Sequence, residues 1–132
     1  MKKLFTFCLF ILSIPLFSNE SYVYIIEPKD GSEVTSPVRV VFGLSGMGIA
    51  PAGVDRPGTG HHHLLIDLKE LPDLTKSIPA DKNHLHFGGG QTETVLNLTP
   101  GNHDLQLIMG NWFHVPHSSP LISKKVTIKV KE

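Results

Sequence analysis

Cysteine is almost absent from the sequence, because Cys8 is the single one in 132 residues and it lies inside an apolar run. Two lysines, that apolar run over residues 4–12 and a small residue at Ser18 form the three regions of a secretory signal peptide. We expect residues 1–18 to be cleaved, leaving residues 19–132 as one domain without a disulfide. The apolar run is also shorter than the roughly 20 residues of a membrane-spanning helix, which makes an uncleaved anchor the weaker alternative.

An excess of charge of one sign is also missing. The sequence has 12 Lys and Arg residues against 12 Asp and Glu residues. Loss of Lys2 and Lys3 with the signal peptide leaves a net charge of about −2 on the expected mature chain. This near balance disfavours nucleic acid and anionic lipid as partners. The signal pattern leads us to expect an exported protein, periplasmic or secreted, with an envelope protein as one candidate partner.

Helical periodicity is scarce, whereas alternation of apolar and polar residues recurs between glycines and prolines. Strand candidates are residues 22–26, 38–44, 61–67, 84–87, 92–98, 103–109 and 122–130. They predict an immunoglobulin-like antiparallel β-sandwich of about seven strands, with a small barrel as the alternative. The turn at Pro100-Gly101 predicts that residues 92–98 and 103–109 pair as a hairpin.

Histidine is the residue in excess, since two or three would be ordinary for this length. The eight positions are His61, His62, His63, His84, His86, His103, His114 and His117. Side chains alternate along a strand, so His61 and His63 share a face with Leu65, which we expect to point towards solvent or a shallow groove. His62 then faces the core. By the same rule His84 and His86 share a face, and His103 lies at the mouth of the core face.

Two histidines on one strand face stand about 6.6 Å apart, and a second His-x-His strand could complete the ligand set of one ion. Imidazole suits Zn(II), Cu(II) and Ni(II). The sequence therefore predicts a copper or zinc site, with Asp67, Met47 or Met109 as accessory ligands. The proposed ligands are His61, His63, His86 and His114, followed by His62, His84 and His103. The alternative is that each histidine hydrogen-bonds a nearby backbone carbonyl and fixes a loop.

Three blocks of the sequence carry a family resemblance. They are Gly46 to Gly53 followed by Thr59 to Asp67, His84 to Gly88 followed by Gly90 to Glu93, and Pro100 to Leu107 followed by His114 and Ser123. The sequence resembles the exported bacterial family catalogued as domain of unknown function 4399. This resemblance implies export and a small β domain, and it implies no assigned activity. The resemblance also implies that His117 is not a core ligand, because some members have no histidine at its position.

Two other functions compete with metal binding. One is a metal-free interaction domain, in which Trp112, Phe113 and the Gly-rich loop 45–60 contact a protein or a glycan. The other is a zinc hydrolase with Glu93 or Asp67 as its base. No nucleophile elbow, phosphate loop or Ser-His-Asp arrangement is recognisable, so no catalytic residue is assigned.

Overall fold

Alternating burial produces the strands of this protein. In the last strand Val126, Ile128 and Val130 are buried, while Thr127 and Lys129 between them are exposed. The computed structural model describes residues 20–132, a range that contains strands and no helix. The strands are β1 (Tyr22–Glu27), β2 (Glu33–Val34), β3 (Val38–Ser45), β4 (Gly48–Ile49), β5 (Thr59–Ile66), β6 (His84–His86), β7 (Glu93–Leu96), β8 (Gly101–Gly110) and β9 (Val126–Val130).

The strands form two open sheets. The first has the order β1-β3-β7, and the second has the order β2-β9-β8-β5-β4, with β6 paired to β5 at residues 63–65. Most pairs are antiparallel, and the exceptions are β2 with β9 and β4 with β5. The fold is therefore all-β, in agreement with the predicted sandwich. The predicted signal peptide, residues 1–18, lies outside the described residues, and within them no helix is long and apolar enough to cross a membrane.

The main core fills the space between the two sheets. It includes Phe42 from the first sheet and Leu64, Leu107 and Ile128 from the second, all at most 4 % exposed. Because side chains alternate, Leu65 points to the opposite face of β5. That face is also covered, since Leu65 packs with Ile78 and Ile108 in a second apolar cluster, against which Leu68, Leu74 and Ile122 lie. The central part of the larger sheet is consequently buried on both faces.

The predicted hairpin is wrong. β7 pairs with β3 in the small sheet, whereas β8 pairs with β5 and β9 in the large one. The turn at Pro100-Gly101 therefore carries the chain from one sheet to the other. The last strand is also shorter than predicted, because Ile122 only bridges to Ile108 and packs in the second cluster, not in the core.

Candidate metal site

Strand β5 places two imidazoles on the covered outer face of the large sheet. His61 and His63 are both 0 % exposed, so the expectation that they point towards solvent is wrong. The physical reason is that two other parts of the chain cover this face. Ile78, between β5 and β6, packs on Leu65, and the ring of His114 from the loop after β8 lies against those of His61 and His63. Their Nε2 atoms lie 3.1 Å apart and share a hydrogen bond. One ring must donate and the other accept, because a neutral imidazole has one N–H.

Strand β6 supplies a third ring. His86 is the cross-strand partner of His63, and the centres of these two rings lie 5.0 Å apart. The His86 ring lies directly against Gly88, where a Cβ atom would come within 2.5 Å of Nε2 and closer still to Cε1. Glycine at position 88 therefore leaves the space that the His86 ring occupies.

The loop after β8 supplies a fourth ring from His114. Its backbone has a φ of 67°, a left-handed conformation that is uncommon for residues other than glycine. Asn111 holds this turn, because its side-chain oxygen accepts the N–H groups of Phe113 and Val115 and its carbonyl accepts that of His114. The carbonyl of His114 in turn accepts the N–H of Ile78 at 2.9 Å.

The four rings converge on one point. The ring centre of His61 lies 5.0 Å from that of His86 and 5.2 Å from that of His114, and His86 and His114 are 4.7 Å apart. Ligand nitrogens of these three residues lie within 4.8 Å of one another, and the three could hold a metal ion. His63 is adjacent, with ring centres 4.9 Å from His61 and 6.1 Å from His114.

Burial favours the neutral form of His61, His63 and His86. Burial lowers the pKa of His61 to about 4, assisted by repulsion from His86 and His114. The same causes, burial first and then the neighbouring histidines, lower the pKa of His63 to about 3. Burial and repulsion from His114 also lower the pKa of His86. A neutral imidazole has a free lone pair, which is the form that binds a metal.

His62 lies on the other face of β5, as the alternation predicts. Its ring packs against Phe42 in the core, with ring centres 5.1 Å apart, and it is 1 % exposed. Neither ring nitrogen has a hydrogen-bond partner among the described residues. Burial lowers the pKa of His62 to about 4, outweighing an opposing effect of the backbone at Gln91. The sheet separates this ring from the cluster.

His103 is held in a local hydrogen-bond network. Its Nδ1 lies 2.8 Å from a carboxylate oxygen of Asp67, and its Nε2 lies 2.8 Å from the carbonyl oxygen of Thr99. Burial alone would lower the pKa of His103, but these two hydrogen bonds and the Asp67 charge outweigh burial and raise it. Both nitrogens face acceptors, which favours the doubly protonated ring and leaves no lone pair for a metal.

Two further histidines also have local partners. The Nδ1 of His84 lies 2.9 Å from a carboxylate oxygen of Asp81, and the Nε2 of His117 lies 3.0 Å from the carbonyl oxygen of Thr59. These two histidines and His103 therefore fit the alternative stated above, in which a histidine forms local hydrogen bonds and fixes a loop. Neither belongs to the group of three within ligand range.

The residues predicted from the sequence as accessory ligands or catalytic bases have partners other than the imidazole cluster. Asp67 binds His103, and Glu93 forms an ion pair with Arg39 on the outer side of the small sheet. Met109 is 0 % exposed in the core between the sheets, and Met47 packs against that core. The four converging rings therefore form a cluster of imidazoles alone.

Sequence patterns missed the residues that position the rings. A Cβ atom at Gly110 would lie 2.8 Å from Nε2 of His63 and 3.4 Å from the Cα of His114, so only glycine leaves room there. Gly88 likewise leaves room for the His86 ring, and Asn111 holds the turn that carries His114. A signal exists in retrospect, because Gly88 lies two residues after His86 and Asn111 lies three residues before His114.

Fold and site together define a small two-sheet β domain with a partly buried imidazole cluster that could hold a metal ion. Residues 40–131 match the family described as a domain of unknown function, DUF4399, and the chain belongs to that family. No curated protein matches the chain. A solved structure of the endo-beta-1,4-mannanase from Thermotoga petrophila is similar at 19% identity and a TM-score of 0.49, covering 86% of this chain. This chain matches 20% of the length of that enzyme.

Proposed function

We propose that this domain is an exported bacterial metal-binding module that holds one Cu(II) or Zn(II) ion through His61, His86, His114 and His63. The proposal is supported mainly by one observation: three imidazoles from three separate segments have ligand nitrogens within 4.8 Å of one another. Cu(II) and Zn(II) both accept neutral imidazole, and the cluster contains no thiolate or thioether that would favour Cu(I).

His63 is assigned as the fourth ligand on hydrogen-bond grounds. Its Nδ1 is buried without a partner, and its Nε2 is bonded to His61. An ion that takes the Nε2 lone pair of His61 removes that bond and leaves both nitrogens of a buried ring unsatisfied. An unsatisfied buried group costs about 1–3 kcal/mol, so coordination by His63 is the favourable outcome. The 3.1 Å separation of the two Nε2 atoms is also close to the distance of about 3.3 Å between ligands of a tetrahedral site with Zn–N bonds of about 2.05 Å.

Calorimetric titration of the purified metal-free protein with Cu(II) and Zn(II) tests the proposal. We expect one site per chain with a dissociation constant below about 10 µM, equivalent to about −7 kcal/mol. His61→Ala and His86→Ala should each weaken binding tenfold or more. The matched control is His84→Gln, on the same strand as His86 but outside the cluster, and it should bind as the parent does. Absence of any binding tighter than about 10 µM would contradict the proposal.

Export is a separate part of the proposal and needs its own measurement. The support is the pattern of the first 18 residues together with the family resemblance. N-terminal sequencing of the protein recovered from the periplasm or the medium should begin at Asn19 or within a few residues of it. A chain that is found only in the cytoplasm with Met1 retained would contradict this part.

One observation favours a second function, the metal-free interaction domain. Trp112 and Phe113 lie in the loop beside His114, are 43% and 63% exposed, and have ring centres 5.2 Å apart. Exposed aromatic pairs are frequent at binding surfaces. Trp112→Ala with Phe113→Ala should abolish capture of an envelope partner and leave metal affinity unchanged. The hydrolase gains no support, because the nominated bases Asp67 and Glu93 are bound to other residues.

A further inference from the structure

The imidazole cluster is unusual because no acidic side chain of residues 20–132 belongs to it. The consequence drawn below rests on the proposed binding of a metal ion. Among the described residues, the group whose ligand atoms lie within 4.8 Å of one another contains three histidines and no carboxylate. Two carboxylates carried near these strands have other partners, because Asp67 binds His103 and Asp81 binds His84. Four neutral imidazoles therefore leave a divalent ion with its full charge of 2+, which no carboxylate of the cluster offsets.

One side of the cluster is open to solvent. His61 and His63 are fully buried under the second apolar cluster, whereas His86 is exposed and His114 is half-buried. An ion among the four rings is therefore approached from the side of His86. The rings of His86 and His114 flank this side with centres 4.7 Å apart, which favours a small ligand.

We infer that the metal-loaded site binds a small anion as an exogenous ligand on the side of His86. Attraction between opposite charges is stronger in a partly buried site than in bulk water. Zn(II) expands to five ligands and Cu(II) accepts additional ligands in tetragonal geometry, so coordination by four imidazoles does not close the ion to an anion. The ligand class is a monovalent inorganic anion or a small carboxylate.

Azide is the probe, because its complex with Cu(II) has a charge-transfer absorption that free azide lacks. The Cu(II)-loaded protein is titrated with sodium azide at constant ionic strength, with nitrate replacing azide in the reference, since salt screens the attraction. We expect a saturable absorption band and a change in the electron paramagnetic resonance spectrum, with a dissociation constant of about 1–10 mM. The His84→Gln variant should give the same curve.

A charge-compensating variant tests the cause. His86→Asp puts a carboxylate at the open side, and its Cu(II) complex should bind azide at least tenfold more weakly than the parent complex. Bound copper with no azide response up to about 100 mM would overturn this inference and leave metal binding intact. Equal azide affinity in the loaded parent and the loaded His86→Asp variant would overturn the charge argument. Failure of the parent protein to bind copper at all would instead refute the proposed function, and this inference with it.

Discussion

Substitution of Gly88 by alanine tests the placement of His86 without touching a ligand. Gly88 does not have a positive φ, so alanine adds no backbone strain there. The new Cβ atom would lie 2.5 Å from Nε2 of His86, and contact at ordinary distance begins at about 3.4 Å. The ring must therefore move by about 1 Å.

The expected size of the effect follows from the tolerance of metal coordination. Metal–ligand distances in a well-formed site vary by about 0.2 Å, so a displacement of about 1 Å removes His86 from the ligand set or strains it. Disturbing the support of one ligand typically weakens metal affinity by about 10–100-fold, which corresponds to about 1.4–2.8 kcal/mol. The fold should lose far less, because His86 is exposed and moves towards solvent.

Calorimetry with Zn(II) and thermal unfolding without metal measure the two effects separately. The matched control is Gly89→Ala, one residue further on, whose Cβ atom would meet only the side chain of Gln91, at 3.1 Å. We expect Gly88→Ala to lose at least tenfold in affinity and Gly89→Ala to lose less than twofold. Equal affinities for the two variants would refute the role assigned to Gly88 and to the His86 ring.

The remaining predictions concern protons. The three histidines 61–63 have folded-state pKa values of about 3–4, below the usual value. Their pH-dependent contribution to the free energy of unfolding is therefore fully present above about pH 6.5 and is lost as pH falls. Together they should remove about 6 kcal/mol of unfolding free energy by pH 5, and circular dichroism should show unfolding between about pH 4 and 5.5. For His103 the sign is opposite, because its pKa is raised in the fold: its contribution is intact below about pH 6.5 and is lost as pH rises through the folded-state pKa. His103→Gln should therefore destabilise the protein more at pH 6 than at pH 8.5 in urea titrations, and an equal loss at both would contradict the raised pKa. Finally, Zn(II) binding at pH 6 should release almost no protons from His61 and His63, whereas unperturbed rings would release about 1.5. Calorimetry in two buffers of different ionisation enthalpy counts them.

Side-chain alternation was sufficient to sort the histidines of β5 between two faces. It placed His62 with Leu64 in the core and His61 with His63 opposite, as the structure has them. It could not show that the opposite face is also covered, because the cover comes from the irregular segment that contains Ile78. Periodicity describes a strand, and burial depends on what packs against it.

Strand pairing was beyond the local sequence. Residues 93–96 and 101–110 flank a turn that suits a hairpin, yet they belong to different sheets. A tight turn at Pro100-Gly101 is compatible with either arrangement, and alternation places Leu96 inward without saying which sheet it belongs to. The choice is made by partners distant in sequence, such as β3 for β7 and β5 for β8.

The position of His114 depended on features with even weaker sequence signals. Its left-handed backbone, the turn closed by Asn111 and the bond to Ile78 are each set by the folded loop. A loop histidine could thus be nominated as a ligand from its chemistry, while its distance from His61 could not be predicted. The hypothesis of one site shared by two His-x-His strands requires them to lie close together, and the structure pairs β5 with β6 so that His63 lies opposite His86.

The energetic cost of the histidine run argues for a role beyond packing. Four ring nitrogens, in His61, His62 and His63, are buried without a hydrogen-bond partner among the described residues. At about 1–3 kcal/mol each, this cost is comparable with the about 5–15 kcal/mol that stabilises a typical domain. Apolar residues of similar size would fill the outer face of β5 without that cost, as Leu65 does two residues later. A ligand present at about 1,000 times its dissociation constant returns about 4 kcal/mol to the folded state. On the proposed function, ion binding is thus large enough to offset much of the cost on the cluster side. The apolar substitution His63→Leu should weaken metal binding tenfold or more in calorimetry. It should change metal-free stability little, because it removes the unpaired Nδ1 of His63 but leaves Nε2 of His61 without its partner.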